Sequence, residues 1–257
     1  MIRTFVILLS LALFGAARLP AEHAISATHR RLYIRAVAFD LGLREQMGQL
    51  GFIAALSGFR SLVADALFVQ AHVAWERTEW GRVLLLFRQV TTLQPRAILF
   101  WEMAAWHMAW NASTAALNDS AQPRLALRIK AQREYLQLGK DFLERGIKNN
   151  PDRPQLYEAM ARLYRDKYND HERAAEFFAK AAGLPGAPGY VKRFAAYELS
   201  RCAGREREAY NQLQALYSLG ENERLPTLIR ILKELETKLA IPPGERILDA
   251  EGESLNR

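Results

Sequence analysis

The chain has 257 residues, half of them hydrophobic and a quarter charged, which suits one large folded domain or two small ones and excludes a low-complexity chain. Its single cysteine, Cys202, excludes an internal disulfide framework. The net charge of +7 comes without a dense basic block interleaved with aromatics, which argues against nucleic acid and leaves an anionic membrane surface or an acidic partner open.

Arg3 precedes an uncharged apolar run from Thr4 to Ala17, which Arg18 closes. A positive start, an apolar run of this length and small residues at Gly15 and Ala17 are the parts of a secretory signal, with cleavage after Ala17. The run is shorter than the roughly 20 residues that cross a bilayer comfortably. Two fates stay open for residues 1–19: a removed signal peptide, or a retained membrane anchor. For an anchor, the downstream charges Arg18, Arg30, Arg31 and Arg35 argue the opposite orientation. Either fate points to the cell envelope, membrane-anchored or exported. Residues 20–61 read as a linker, a basic helix from His29, and a glycine-rich apolar stretch from Gly42 to Gly58. That stretch suits a helix packed closely through small residues, with an interfacial membrane contact as the alternative.

From Phe59 the pattern turns helical, with Leu62, Ala66, Val69 and Val73 at helical spacing and a return helix over Trp80–Val90. Ile98–Asn111 is the next forward helix. A polar, small-residue stretch follows to Pro123, then a long return helix over Leu125–Lys148. Pro154–Ala182 is the most regular helix pair, and Gly183–Gly189 is a hard break. A further pair follows at Tyr190–Ala203 and Glu206–Leu219, turning at Gly204. Pro226–Leu239 carries the apolar stripe Leu228, Ile231, Leu232, Leu235 and Leu239, as a one-sided capping helix within residues 220–240. Residues 241–257 read as a disordered tail.

One phrase recurs within this region. Leu67, Gln70, Ala71 and Ala74 are followed by Val83, Phe87 and Pro95. Trp101, Ala104, Ala105 and Met108 are followed by Gly139, Leu143 and Pro151. Tyr157, Met160, Ala161 and Tyr164 are followed by Ala174, Phe178 and Pro185. The three segments resemble the tetratricopeptide (TPR) pattern W-x2-L-G-x2-Y…A-x3-F…P, whose period is about 34 residues. Pro95 to Pro151 spans 56 residues, leaving an insertion of 22 around Ser113–Leu127 that extends the return helix or forms a loop on one edge. The stretch Gly58-Phe59-Arg60, Ala64-Asp65-Ala66, Trp75-Glu76, Leu93-Gln94-Pro95-Arg96 and Phe100-Trp101 through Ala105–Asn111 is also similar to bacterial, N-terminally membrane-anchored TPR-like proteins of unassigned activity. The resemblance implies an all-α, right-handed helical-hairpin solenoid over residues 62–219 behind a hydrophobic signal or anchor helix. The repeat register after residue 190 is not fixed by the pattern.

In TPR-like proteins the forward helices line a concave groove. The resemblance puts Phe68, His72, Trp75 and Glu76 there from the first segment, and Glu102, Trp106, Ala109 and Trp110 from the second. The third contributes Glu158, Arg162, Arg165 and Asp166. Such a groove is aromatic at one end and charged at the other, which suits an extended or helical peptide. The implied function is a membrane-tethered scaffold holding a protein or peptide partner in an envelope assembly. A competing view has Trp106 and Trp110 covered, because a helix apolar all round is normally buried on both sides. His107 beside them reads as a satisfied buried histidine.

Two other classes remain. One is a small-molecule or lipid binder with Trp75, Trp106 and Trp110 around a pocket. The other is a helical-toroid enzyme, which needs two acids in unequal environments facing one cavity. The five histidines form no H-E-x-x-H, Cys202 has no thiolate companion, and there is neither a P-loop nor a G-x-S-x-G elbow. The sequence therefore leads to no catalytic residue, metal or cofactor, and leaves the oligomeric state open.

Overall fold

The computed structural model describes residues 58–247, which are all-α, with no strand among the described residues. The signal or anchor segment 1–19, and the linker and first helices of 20–61 up to residue 57, lie outside the described residues. The helices are α1 (Arg60–Glu76), α2 (Trp80–Leu93), α3 (Ile98–Trp106), α4 (Ser113–Leu117), α5 (Leu125–Asn149), α6 (Pro154–Leu163), α7 (His171–Ala182), α8 (Tyr190–Leu199), α9 (Glu206–Tyr217) and α10 (Pro226–Lys238). A π-helical turn, His107–Ala112, joins α3 to α4 without a break, and a second, Tyr164–Tyr168, ends α6.

Local chemistry sets the boundaries. Proline opens α6 and α10 at the first helical turn, where its missing N–H costs no bond. Asp170 caps α7, its carboxylate accepting from the Arg173 backbone N–H at 3.0 Å. Gly204 turns the chain between α8 and α9 at φ +80°, a conformation only glycine adopts freely.

Each long helix packs on its successor in the chain. α1 lies on α2, α3 and α4 on α5, and α6 on α7, with α7 on α8, α8 on α9 and α9 on α10. α2 touches α3, and α6 touches both α3 and α5. The residues that recur in sequence are the ones these contacts bury. Val83 and Phe87, Gly139 and Leu143, and Ala174 and Phe178 all lie in the interior, as do Leu67, Trp101 and Ala161 from the opposing helices. Gln70 and the closing Pro151 and Pro185 are exposed.

A side-chain bond marks the start of two segments. Trp101 Nε1 donates to the Pro95 carbonyl at 2.9 Å, and Tyr157 Oη donates to the Pro151 carbonyl at 3.0 Å, in each case six residues back. Pro185 is likewise six residues before Val191. Val191 and Ala195 pack with Ala161, Phe178 and Ala181, and Ala209 and Leu213 continue into the next cluster with α10.

The π turn explains a spacing anomaly. Leu67 and Phe87 are 20 residues apart, whereas Tyr157 and Phe178 are 21 apart. One i→i+5 turn absorbs one extra residue inside a continuing helix, and the Tyr164–Tyr168 turn lies between those two positions. In the second segment the insertion lengthens both helices. It adds α4 to the forward helix, a connection at 118–124, and the first turns of α5.

The two apolar faces of α1 divide, and one expectation, the disordered tail, is corrected. The stripe Leu62, Ala66, Val69 and Val73 faces outward, because α2 takes the alternative face of α1 made by Ala64, Leu67, Ala71 and Ala74. Small alanines let the two helices approach closely, so the larger stripe is left outside. The tail is not disordered over 241–247. Ile241 is buried and the Ile247 backbone N–H donates to Glu236 Oε1 at 2.7 Å. The remaining tail lies outside the described residues.

Candidate functional site

The aromatic end is built on α1 and the first π turn. His72 and Trp75 stack on the outer part of α1, ring centroids 5.0 Å apart, and His72 Nε2 is 3.6 Å from exposed Glu76. Trp75 reaches across to His107 at 5.4 Å, and His107 lies 5.0 Å from Trp106 and 5.4 Å from Phe87. His107 is only 2% exposed. Burial pushes its pKa down to about 4, with nearby His72 adding to the fall. The neutral ring faces the Asn111 amide through Nδ1 at 3.2 Å. It is a satisfied core histidine that joins Trp75 to Trp106.

The charged end is built on α3, α6 and the first residue of α8. Glu158 is 5% exposed yet carries a carboxylate, so it needs partners. It has two: Arg162 Nη1 donates to Oε1 at 2.8 Å, and the Tyr190 hydroxyl donates to Oε2 at 2.9 Å. Burial lifts the Tyr190 phenol above its ordinary pKa, and the bond to Glu158 adds to that. Glu102 occupies the same place on α3 that Glu158 occupies on α6, one residue past the aromatic. Burial raises its pKa, Arg162 opposes the rise, and Glu158 adds to it. Between the two ends, Lys167 Nζ lies 5.6 Å from the centre of the Trp110 ring. Burial lowers the Lys167 pKa, and Asp166 opposes the fall.

The sequence-derived residues therefore divide. Trp75 and Trp106 meet through His107, with His72 and Glu76 beside them. Glu102, Glu158 and Arg162 share one electrostatic cluster. Arg165 binds its neighbour Asp166 at 2.6 Å and lies 5.9 Å from the Phe178 ring, so its guanidinium is directed back toward the core. Phe68 is half-buried against Phe87 and Phe100, at 5.9 and 5.3 Å, and serves packing. Two corrections follow. Ala109 is fully buried rather than groove-facing, because its Cβ borders the close approach of α5 at Gly139. Trp106 is not covered, being 42% exposed, while Trp110 is half-buried.

Lys167 and Tyr190 are the contributors that pattern reasoning missed. Lys167 falls one place beyond the expected groove position, where the π turn has rotated the register. Tyr190 opens the helix whose register the sequence did not fix. A cavity of about 220 Å³ lies elsewhere, lined by Arg88, Leu138, Asp141, Phe142, Glu144 and Arg145, without a tryptophan. Among the described residues no three His, Cys, Asp or Glu side chains are placed to hold a metal. No described helix is long and apolar enough to cross a membrane. No protein-family model and no curated protein matches the chain.

Proposed function

We propose that the chain is a TPR-like helical-hairpin solenoid that binds a protein or peptide partner along its forward helices. Its N-terminal segment would tether it to the membrane or direct it to the cell envelope. The observation that carries the reading is the aromatic group His72, Trp75, His107 and Trp106, with Trp106 left exposed on the helix that also carries Glu102 of the charged cluster. An exposed tryptophan one helical turn from a charged cluster is the composition of a protein-binding surface, where aromatics anchor and charges orient. Recurrence of the proline-to-aromatic bond at Trp101 and Tyr157 supports the repeat assignment. No group in the row has the geometry of a nucleophile with its base, so the reading assigns no catalysis.

The test is affinity capture from crosslinked cells with full-length protein, membrane fraction retained, comparing wild type with Trp106→Ala. The reading expects one stoichiometric envelope protein with wild type and its loss with Trp106→Ala at unchanged melting temperature. Equal capture by both proteins would overturn the groove assignment. Arg162→Glu is a poor probe, because it would set a second carboxylate against buried Glu158.

A further inference from the structure

At the charged end Glu102 is the carboxylate without a bonded cation. Arg162 is bound to Glu158, which also accepts from Tyr190. Arg165 is bound to Asp166, and Lys167 lies against Trp110. Glu102 has no hydrogen bond or ion pair among the described residues, although it is half-buried and within electrostatic reach of Arg162 and Glu158. Two carboxylates thus share one guanidinium, and the nearer bond goes to Glu158. Over Glu102, Glu158 and Arg162 alone the sum is one negative charge, and Lys167, against Trp110, is the cation left without a bonded counter-ion among the described residues.

The surroundings of Glu102 define what would neutralise it. Trp106 lies four residues further along the same helix, so the two side chains are neighbours on one face. Trp106 is exposed, and Tyr190 stands partly exposed across the cluster. An open indole beside an unpaired carboxylate fits a basic side chain, with its plane on the ring and its donors on the carboxylate. Arginine suits this better than lysine, because a planar guanidinium stacks and forks at once. Arg162, Arg165 and Lys167 close by, on a chain of net charge +7, disfavour a polybasic segment.

We propose that the partner segment carries one arginine, flanked by apolar rather than basic residues, which docks on Trp106 and pairs with Glu102. This rests on the peptide-binding reading above and adds its chemical specificity. An acidic segment would face Glu102 and Glu158 together. A neutral one would leave Glu102 more deeply desolvated and still unpaired.

The test is selection of a random-peptide library displayed on phage against full-length protein in detergent, followed by affinity measurement of selected peptides on wild type and Glu102→Gln. Glutamine keeps the shape and removes a charge that burial disfavours, so the variant is expected to melt no lower than wild type. The expected result is peptides with a single arginine in an apolar context, binding Glu102→Gln about tenfold more weakly, the size of one charge-assisted bond. Peptides without a basic residue, or with equal affinity for both proteins, overturn the Glu102 assignment and leave the peptide surface standing. Failure to enrich any peptide over a bait-free control overturns both. Peptides that compete with one another yet ignore Trp106→Ala place the binding surface elsewhere and overturn the proposal as well.

Discussion

The second and third segments start from the same bond and end in different packing. Trp101 and Tyr157 each donate to a proline carbonyl six residues back, and each helix runs into a π turn. Their return helices differ at the matching places: Gly139, Leu143 and Gly146 on α5 stand where α7 has Ala174, Phe178 and Ala181. The reason lies across the interface. A Cβ on Gly146 would come 3.0 Å from the Trp101 side chain, and one on Gly139 would come 2.6 Å from Ala109 Cβ. The second segment buries Trp101 where the third has half-buried Tyr157, and the third buries the Phe178 ring where the second has Leu143. The same interior is thus filled from opposite sides, and glycine marks the helix that yields.

A second difference is chemical. His107 lies six residues past Trp101, where the third segment has buried Leu163 six past Tyr157. This makes the second segment the one that titrates. The folded His107 pKa is depressed from about 6.5 to about 4, so the unfolded chain takes up a proton first as pH falls. The His107 contribution to stability is flat above pH 6.5 and declines between pH 6.5 and 4. At about 1.4 kcal/mol per pH unit the loss is on the order of 3 kcal/mol. Glu102 works the other way: its raised pKa adds stability as pH falls through it. His107→Leu, which copies the third segment, is expected to remove the decline between pH 6.5 and 5 in thermal melts followed by circular dichroism. An unchanged slope would mean that His107 is hydrated and not the source.

Gly139→Ala tests the packing difference directly. The new methyl meets Ala109 Cβ and the Ala105 carbonyl, and the latter is backbone that has no rotamer to escape into. Overpacking of this kind costs about 1–3 kcal/mol, against a gain of up to about 1 kcal/mol from helix propensity. Urea denaturation is expected to show a net loss of about 1–2 kcal/mol. A stabilised Gly139→Ala would mean that α3 and α5 separate easily and that the glycine is not required.

How far the sequence reached follows from which residues carry two periodicities. Helix existence, the Pro226 start and the Gly204 turn were legible because capping and breaking are local chemistry. The buried face of α1 was legible only through the recurring Leu67, Ala71 and Ala74, because Leu62, Ala66, Val69 and Val73 make as regular a stripe. Only the partner helix decides between them. The π turns were invisible as such, though the 21-residue interval from Tyr157 to Phe178 was their trace. For the candidate site, Trp75, Trp106, Glu102, Glu158 and Arg162 were reachable by counting along α1, α3 and α6. Lys167 and Tyr190 were not, since one follows a π turn and the other comes from a helix of unassigned register.

The smallest effect concerns what the two segments share. Tyr157→Phe removes the hydroxyl that bonds the Pro151 carbonyl and leaves the ring in place. That bond is solvent-exposed, and water can replace the lost donor, so the expected cost is about 0.5 kcal/mol. Trp101→Phe removes the corresponding donor, but its acceptor also receives the Asn150 side-chain amide at 2.8 Å. Asn150 itself is buried and ties the end of α5 to the start of α3, so the Pro95 carbonyl stays satisfied in Trp101→Phe. The loss there comes from the smaller ring in a site that is 1% exposed, and it should exceed that of Tyr157→Phe by about 1 kcal/mol or more. If the two variants lose equal stability in urea, the bond rather than the ring dominates, and the packing contrast between the segments is weaker than their glycines imply.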